Sequence, residues 1–478
     1  MTLGRLWAFL AVGLPVLGTL IANLSAVDLA YHLRAGELLL ATGRIPTTDT
    51  FTFTAAGATW LNQQWGAQAI LAAVFRIGGW SGLVLLRAFL VGVTFGCLFA
   101  ACRRLGLDIR RSAWLTLAAF VISAVALALR PQLFGMTLLA ITLLIVADRR
   151  RHPRLVWVVP AIVLVWANVH GSFFLGPIVL GLAWLEDVRS RVASPHRLLV
   201  VAAVAAIAAA INPFGPGVWA YAVGLSTNAL VTNRITEWQP TSLRSVPGML
   251  FFGSVALVAV LIARRGRRVG WPSLLWLGFF AAIGTYAIRG VAWWPLGAVI
   301  AVAALLVREP DDESANRPER PDRSERLERS SPLNVVVAGL IAVVCVLFLP
   351  VWRPIDARVQ APAGVVGDAP PGITQALRTI VKPGDRIFNP QAWGSWFEFA
   401  LPDGLYAIDS RIEVFPASVW DDYEAVREGT DGWQATLARS TANVVVATDD
   451  EDAFVARLVA AGWRDVYHDD DGTVLLQR

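Results

Sequence analysis

The sequence has little charge for its length. Only 16% of its 478 residues are charged, whereas soluble globular domains carry about 25%. Hydrophobic residues make up 56% of the chain and occur in long blocks. These values exclude a secreted scaffold, a coiled coil and a disordered protein, and they predict a multi-pass α-helical membrane protein.

Cysteine is also scarce. All three cysteines lie in or at the edge of apolar segments, and residues 352–478 contain none. No disulfide framework is therefore expected in the C-terminal part. The sequence also lacks a Gly-rich phosphate loop, a Walker motif, a CxxC pair and a Ser-His-Asp signature. None of these common motifs of soluble enzymes therefore indicates its chemistry.

The net charge of +5 conceals an uneven distribution. Residues 352–478 contain 11 basic and 20 acidic side chains, whereas residues 1–351 contain 30 basic and 16 acidic ones. Such asymmetry indicates that the two parts occupy different compartments. The basic residues form short clusters between apolar segments, and this arrangement argues against a nucleic-acid partner.

Eleven apolar segments are predicted to cross the membrane, although several are near the minimum length for a hydrocarbon layer of ~30 Å. They cover residues 6–24, 80–101, 113–129, 132–147, 155–169, 172–186, 198–212, 247–263, 272–288, 291–307 and 333–350. Every second connecting loop is rich in arginine, as in 103–111 and 149–154. The positive-inside rule therefore predicts a cytoplasmic N-terminus.

Four regions follow from this topology. Residues 1–307 form a transmembrane core with a long outer loop, 25–79, and residues 308–331 form a charged cytoplasmic linker. Residues 332–351 contain the last transmembrane helix. Residues 352–478 form a small extracytoplasmic α/β domain, in which strands are predicted near 385–389, 405–408, 443–447 and 473–476, with a helix at 452–461.

The outer loop holds the first candidate site residues. Asp28 follows the first helix and His32 lies four residues later, so the two share one face of a continued helix. A carboxylate can act as a base, and an imidazole can donate, accept or bind a metal. Further polar candidates follow in the loop: Asp49, Asn62, Gln64 and Trp65. An Asp at a helix end can equally be a solvated or capping residue.

A family resemblance rests on two runs, Asp28-Leu-Ala-Tyr-His-Leu-Arg-Ala-Gly36 and Gly43-Arg-Ile-Pro-Thr-Thr-Asp49. With the long first outer loop, they resemble the GT-C superfamily of membrane glycosyltransferases, which includes protein O-mannosyltransferases, aminoarabinose transferases and the oligosaccharyltransferase catalytic subunit. The resemblance implies a polyprenyl-phosphate-linked sugar donor, a glycan, lipid or protein acceptor on the outer face of a bacterial plasma membrane, and a general base at Asp28. Many members have paired acids here, whereas Leu29 follows Asp28 in this chain.

Polar residues at other helix ends are predicted on the same side as Asp28, where such residues at membrane depth are often functional. They are Arg130, Gln132, Asn168, His170 and Arg289. Arg130 and Arg289 suit a phosphate clamp, because guanidinium binds phosphate bidentately. Asp28, His32 and His170 are the candidates for binding a divalent metal, and His32 and His170 could instead hydrogen-bond the leaving phosphate.

The C-terminal part contains one dense polar and aromatic stretch, from Phe388 to Glu413. Its Asp409-Ser410-Arg411 run is interpreted as a structural ion pair among core tryptophans, and a sugar-stacking acceptor surface is the alternative. The sequence as a whole favours an inverting glycosyltransferase in which Asp28, His32 and Asp49 are catalytic. A lipid-linked glycan transporter or flippase and a non-catalytic envelope scaffold remain the alternatives.

Overall fold

The computed structural model describes residues 1–227, 232, 234–266, 269–307 and 329–477. The chain forms two compact units: Met1–Ala22 with Leu85–Leu349, and Asn23–Val84 with Pro350–Arg478. The first is called the helical unit below and the second the mixed unit. Most of the predicted linker, residues 308–328, lies outside the described residues.

Up to residue 349 the described chain is mainly helical. In chain order they are α1 (Leu3–Ile21), α2 (Ala26–Thr42), α3 (Trp65–Arg104), α4 (Ile109–Ser123), α5 (Pro131–Asp148), α6 (Val159–Ala167), α7 (Leu175–Arg189), α8 (His196–Ala208), α9 (Gly217–Thr227), α10 (Val246–Arg265), α11 (Trp271–Tyr286), α12 (Trp293–Leu306) and α13 (Pro332–Leu347). Short 3₁₀ turns precede α6, α7 and α12. Gly79, with φ 55° and ψ −149°, interrupts α3.

All eleven predicted apolar segments fall on helices. Seven helical segments of the described chain are long and apolar enough to cross a membrane, and three shorter apolar segments cover 155–167, 196–208 and 332–347. The prediction of a multi-pass α-helical membrane protein is confirmed, while the count of eleven crossings stays a prediction. Buried Arg87 in α3 donates to the backbone oxygens of Thr19 and Ala22 at the end of α1. It thereby satisfies carbonyl groups that the end of a helix leaves without partners.

The mixed unit contains α2, the beginning of α3 and the C-terminal segment. Its strands are β1 (Leu24–Ser25), β2 (Ile355–Asp356), β3 (Ala361–Pro362), β4 (Val366–Gly367), β5 (Arg386–Phe388), β6 (Leu405–Tyr406), β7 (Val444–Thr448), β8 (Arg464–His468) and β9 (Gly472–Leu476). Its remaining helices are α14 (Pro371–Ile380), α15 (Gln391–Ala400), α16 (Ala417–Glu428), α17 (Trp433–Ser440) and α18 (Asp452–Ala460).

One five-stranded sheet forms the centre of the C-terminal segment, in the order β6-β5-β7-β9-β8. β5 pairs in parallel with β6 and β7, whereas β9 is antiparallel to β7 and β8. The α/β prediction is confirmed, and the four strands and the helix predicted in this part are all present. Sequence reasoning missed β8, because its five residues are half-buried or exposed and lack an apolar face.

Helix α2 packs closely against α15 and the beginning of α3. A Cβ at Gly36 would lie 2.2 Å from the backbone oxygen of Gln68, and one at Gly394 would lie 1.9 Å from that of Ile408. Both positions therefore need glycine for backbone approach. Strand β1 pairs with β4 in parallel, which places the start of α2 beside the C-terminal segment. The outer loop and this segment thus share one core.

Candidate active site

Asp28 lies in the first turn of α2, at the positive end of the helix dipole. It is half-buried. Ser410 Oγ donates to the backbone oxygen of the adjacent Val27 at 2.9 Å, and Ser395 Oγ lies 2.7 Å from Ser410 Oγ. Because Ser410 has one hydroxyl proton and gives it to Val27, Ser395 donates to Ser410. The C-terminal segment therefore fixes the turn that carries Asp28.

His32 and Asn62 belong to one buried polar chain. Asn62 and Gln68 exchange amide hydrogen bonds of 2.7 and 2.8 Å, and Gln68 Nε2 lies 3.4 Å from His32 Nδ1. In this arrangement Gln68 donates to Nδ1, so the proton of a neutral His32 ring is on Nε2. The ring of Tyr31 lies 4.0 Å from that of His32. This network holds the imidazole in one orientation.

Gln64 and Trp65 lie at the start of α3 and are half-buried. The backbone oxygen of Gln64 accepts a bond from the backbone N–H of Gln68. Sequence reasoning missed Gln68, which is fully buried and links Asn62 to His32. Its position four residues after Gln64 was the available signal, because such residues share a helix face.

Asp49 is enclosed in the mixed unit by an ion pair with Arg411. Arg411 Nη2 lies 2.6 Å from Asp49 Oδ1, and both side chains are fully inaccessible to solvent. Asp49 also accepts bonds from the backbone N–H groups of Phe51 and Thr52 and from the Thr52 hydroxyl. These four bonds use the oxygens on which a catalytic carboxylate would receive a proton. In this structure Asp49 therefore holds the loop in place.

Arg411 is also bound by Asp409, which accepts from its Nε at 2.8 Å, from its Nη2 and from its backbone N–H. The guanidinium carbon lies 4.6 Å from the ring centre of Phe51 and 4.7 Å from that of Trp60. Cation–π attraction is strongest where the cation is desolvated. The interpretation of Asp409 and Arg411 as a structural pair agrees with these contacts.

Glu398 on α15 is a third carboxyl group beside Arg411. Its Oε1 lies 4.0 Å from Arg411 Nη2, and the side chain is 2% exposed. Burial and the nearby Asp409 raise the pKa of Glu398 well above its usual range, against the opposing effect of Arg411. The buried cluster therefore favours the protonated form of Glu398 over the charged form.

The helical unit brings Arg130, Gln132 and Arg289 together. Arg130 Nη2 lies 2.9 Å from Glu237 Oε1, and the guanidinium of Arg289 lies 5.4 Å from the ring centre of Trp238. Gln132 Nε2 donates to the backbone oxygen of Arg289 at 3.4 Å. Sequence reasoning missed Glu237 and Trp238, whose positions in a long loop gave no signal.

His170 lies beside the same end of α5. Its Nδ1 accepts a bond from the backbone N–H of Ser172 at 3.1 Å and is 2.7 Å from the Ser172 hydroxyl. A Cβ at Gly135 of α5 would come within 3.2 Å of this nitrogen, so glycine makes room for the group. Asn168 instead donates to the backbone oxygens of Leu164 and Ile211, a contact that fixes the helix end.

A metal site was a further possibility at Asp28, His32 and His170. Asp28 and His32 are in the mixed unit and His170 is in the helical unit. In the part of the chain that the structure describes, no group of three His, Cys, Asp or Glu side chains is placed to hold a metal ion.

Comparison with solved structures identifies the fold. No protein-family model and no curated protein matches the sequence. The structure is similar to the oligosaccharyltransferase AglB of Archaeoglobus fulgidus in complex with an inhibitory peptide and a dolichol-phosphate, with 12% identity, a TM-score of 0.60, and coverage of 93% of this chain and 69% of that one. The apo form of the Archaeoglobus fulgidus enzyme gives a TM-score of 0.55 with the same identity and coverage.

The chain has the GT-C fold. The expectation from the outer-loop motifs is thus confirmed for the fold of a membrane glycosyltransferase. ArnT of Cupriavidus metallidurans bound to undecaprenyl phosphate scores lower, with a TM-score of 0.48, 14% identity, and coverage of 98% of this chain and 97% of that one. The assignment of the GT-C fold rests on the oligosaccharyltransferase comparisons.

The buried cluster predicts a large stability loss for Arg411→Met. This variant leaves the Asp49 and Asp409 carboxylates buried without a cation, which costs about 3–5 kcal/mol in comparable pairs. Thermal or denaturant unfolding of the purified protein measures the change. Arg439→Met is the matched control, because its ion pair with Asp422 is exposed and should have no measurable effect. Equal stability of Arg411→Met and wild type would contradict the structural role.

The raised pKa of Glu398 predicts that the stability of the protein depends on pH. Its folded-state pKa is raised, so its contribution to stability is present below its usual value of 4.5 and is lost as pH rises toward the folded-state value. Glu398→Gln removes this loss, because glutamine does not ionise. The difference in stability between the variant and wild type should therefore shift in favour of the variant as pH rises above 5. Unfolding midpoints across pH measure the difference. Glu428→Gln, at an exposed position, should retain the wild-type dependence of stability on pH. An unchanged dependence in Glu398→Gln would contradict a raised pKa of Glu398.

Proposed function

We propose that this protein is an integral membrane glycosyltransferase that moves a sugar from a polyprenyl-phosphate donor to an acceptor outside the cytoplasm. The observation that carries the proposal is the GT-C fold over 93% of the chain. The AglB structure holds a dolichol-phosphate and a peptide, and a lipid-phosphate donor for this chain is inferred from that likeness. The polar first outer loop is the second support.

In the proposed reaction Asp28 accepts the proton of an acceptor hydroxyl. The acceptor oxygen forms a bond to the anomeric carbon of the sugar as the bond from that carbon to the donor phosphate oxygen breaks. The electron pair leaves with the lipid phosphate. A single displacement of this kind inverts the anomeric centre.

Asp28 is a better candidate for the base than Asp49. It is half-buried in a turn that Ser410 and the C-terminal segment hold in place, whereas the Asp49 carboxylate is committed to Arg411 and to three donors of its own loop. His32 is inaccessible and is proposed to position the beginning of α2 through Gln68.

Arg130 and Arg289 are proposed to stabilise the charge of the leaving phosphate. The side chain of Arg130 is 12% exposed, and its present partner Glu237 is 41% exposed. Such a partly solvated pair is weak enough to exchange for a phosphate, which binds guanidinium through charge-assisted hydrogen bonds. Gln132, which donates to the backbone oxygen of Arg289, is proposed to position that residue. His170, at the same end of α5, is a further donor for that anion.

Asp28→Asn tests the proposed base. We expect at least ~100-fold slower sugar transfer, because general-base catalysis typically contributes 10²–10⁴-fold. The assay supplies a panel of radiolabelled polyprenyl-phosphate sugars and a crude envelope acceptor fraction to purified protein in lipid, with and without EDTA. Glu37→Gln, in the same helix but in an exposed pair with Arg76, is the control and should retain activity. Full transfer by Asp28→Asn would rule out this base.

Arg130→Gln and Arg289→Gln test the phosphate clamp. Each removes a charge-assisted bond worth about 1.5–3 kcal/mol, so we expect the KM for the donor to rise about 10- to 100-fold. The KM for the acceptor should change little. Exposed Arg244→Gln serves as the charge-matched control. An unchanged donor KM in both variants would show that neither arginine binds the donor. Net lipid movement into vesicles without a new glycosidic bond would favour a flippase.

A further inference from the structure

A basic pocket lies at the opposite end of α5 and α7 from Arg130 and His170. The loops after these two helices enclose a cavity of about 290 Å³. Helix α5 has 18 residues and is therefore about 27 Å long, close to the thickness of a hydrocarbon layer. The cavity consequently lies near the membrane surface opposite the arginine cluster of the candidate site.

Arg149 forms the rigid wall of this pocket. Its Nε and Nη2 donate to the two oxygens of Asp187 at 3.1 and 2.9 Å, and Nη2 is also 3.0 Å from Glu186. The Arg149 and Asp187 side chains are each 6% exposed. This buried bidentate pair joins the loop after α5 to the end of α7. It fixes the shape of the pocket without filling it.

Two further arginines supply accessible positive charge. Arg150 lines the pocket with a side chain that is 48% exposed. Its Nε and Nη2 donate to Asp187 Oδ1 at 3.3 and 3.2 Å, and Nη2 also lies 3.4 Å from Glu186 Oε1. Arg197 lines the other side, and its Nη1 donates to the backbone oxygen of Pro153 at 3.4 Å. Among its lining residues the pocket has three guanidinium groups and one carboxylate, so it is suited to an anion.

Apart from Ser194, the remaining lining is apolar, with Pro153, Val156, Val192, Ala193 and Leu198. The chain next to it exposes large apolar side chains, including Trp157 at 49% and Leu199 at 45%. Tryptophan is enriched where membrane proteins meet the head-group layer. The pocket therefore combines an anion-binding wall with an apolar wall in a segment suited to lipid contact.

We propose that this pocket binds the phosphate of an anionic membrane phospholipid. Arg150 and Arg197 would donate to the phosphate oxygens, and the apolar residues would contact the glycerol and the first methylene groups. Basic pockets between transmembrane helices are a recognised arrangement for such head groups. The inference is independent of the proposed glycosyl transfer, because it concerns other residues at the other end of α5 and α7.

Lipid binding by the full chain tests this proposal without an activity assay. The protein, purified in neutral detergent, is titrated with phosphatidylglycerol or phosphatidylcholine, and retained lipid is measured by native mass spectrometry. We expect preferential retention of phosphatidylglycerol by wild type. The double variant Arg150→Gln/Arg197→Gln should bind it at least ~10-fold more weakly. Arg197→Gln alone should show a smaller loss of affinity for phosphatidylglycerol. This single variant keeps the test valid if the double variant does not fold.

Arg151→Gln/Arg154→Gln is the matched control, because it removes the same charge from exposed residues of the same loop that do not line the pocket. It should retain wild-type affinity. An equal loss in the control would show a diffuse charge effect and overturn the pocket. The last measurement adds inorganic phosphate or chloride, at matched ionic strength, to the protein with bound phosphatidylglycerol. If phosphate displaces the lipid no better than chloride does, a lipid ligand is supported. If phosphate displaces the lipid fully, the proposed lipid site is overturned.

Discussion

The burial of Arg411 constrains the whole mixed unit. Taking a guanidinium out of water costs several kcal/mol, and only well-placed anions offset that cost. One anion, Asp409, is two residues away, but Asp49 is 362 residues away in the sequence. The outer loop and the C-terminal segment must therefore assemble before either has its buried charge satisfied. The aromatic faces of Phe51 and Trp60 come from the outer loop as well, so they depend on the same assembly.

This constraint separates the roles of two acids that look alike in the sequence. The carboxylate oxygens of Asp49 accept hydrogen bonds from Arg411 and from its own loop, whereas Asp28 lies in a half-buried helix turn. The same assembly positions that turn, since Ser410 is the residue between Asp409 and Arg411 and donates to Val27. A change at the ion cluster would therefore reach the proposed base through one intervening residue and one hydrogen bond.

The sequence predicted features that are encoded locally. Long apolar blocks predicted the helices, and short runs of apolar and aromatic residues predicted four of the five sheet strands, because both signals lie within a few consecutive residues. The contacts of Arg411 with Asp49 and of Gln68 with His32 could not be predicted, because they depend on which distant segments meet. Gly36 shows the same limit: its requirement for glycine comes from the backbone of Gln68, which no local pattern reveals.

In the helical unit, consecutive residues hold both candidate phosphate ligands. Glu237 pairs with Arg130, and Trp238 lies against Arg289. Glu237 is the more exposed partner of its pair with Arg130, and a phosphate offers Arg130 several acceptor oxygens in place of its carboxylate. Because the Arg289 contact involves the next residue, that exchange would loosen the 236–238 turn from both arginines at once. If Arg130 and Arg289 bind the donor phosphate as proposed, donor binding and the conformation of this loop are coupled through Glu237 and Trp238.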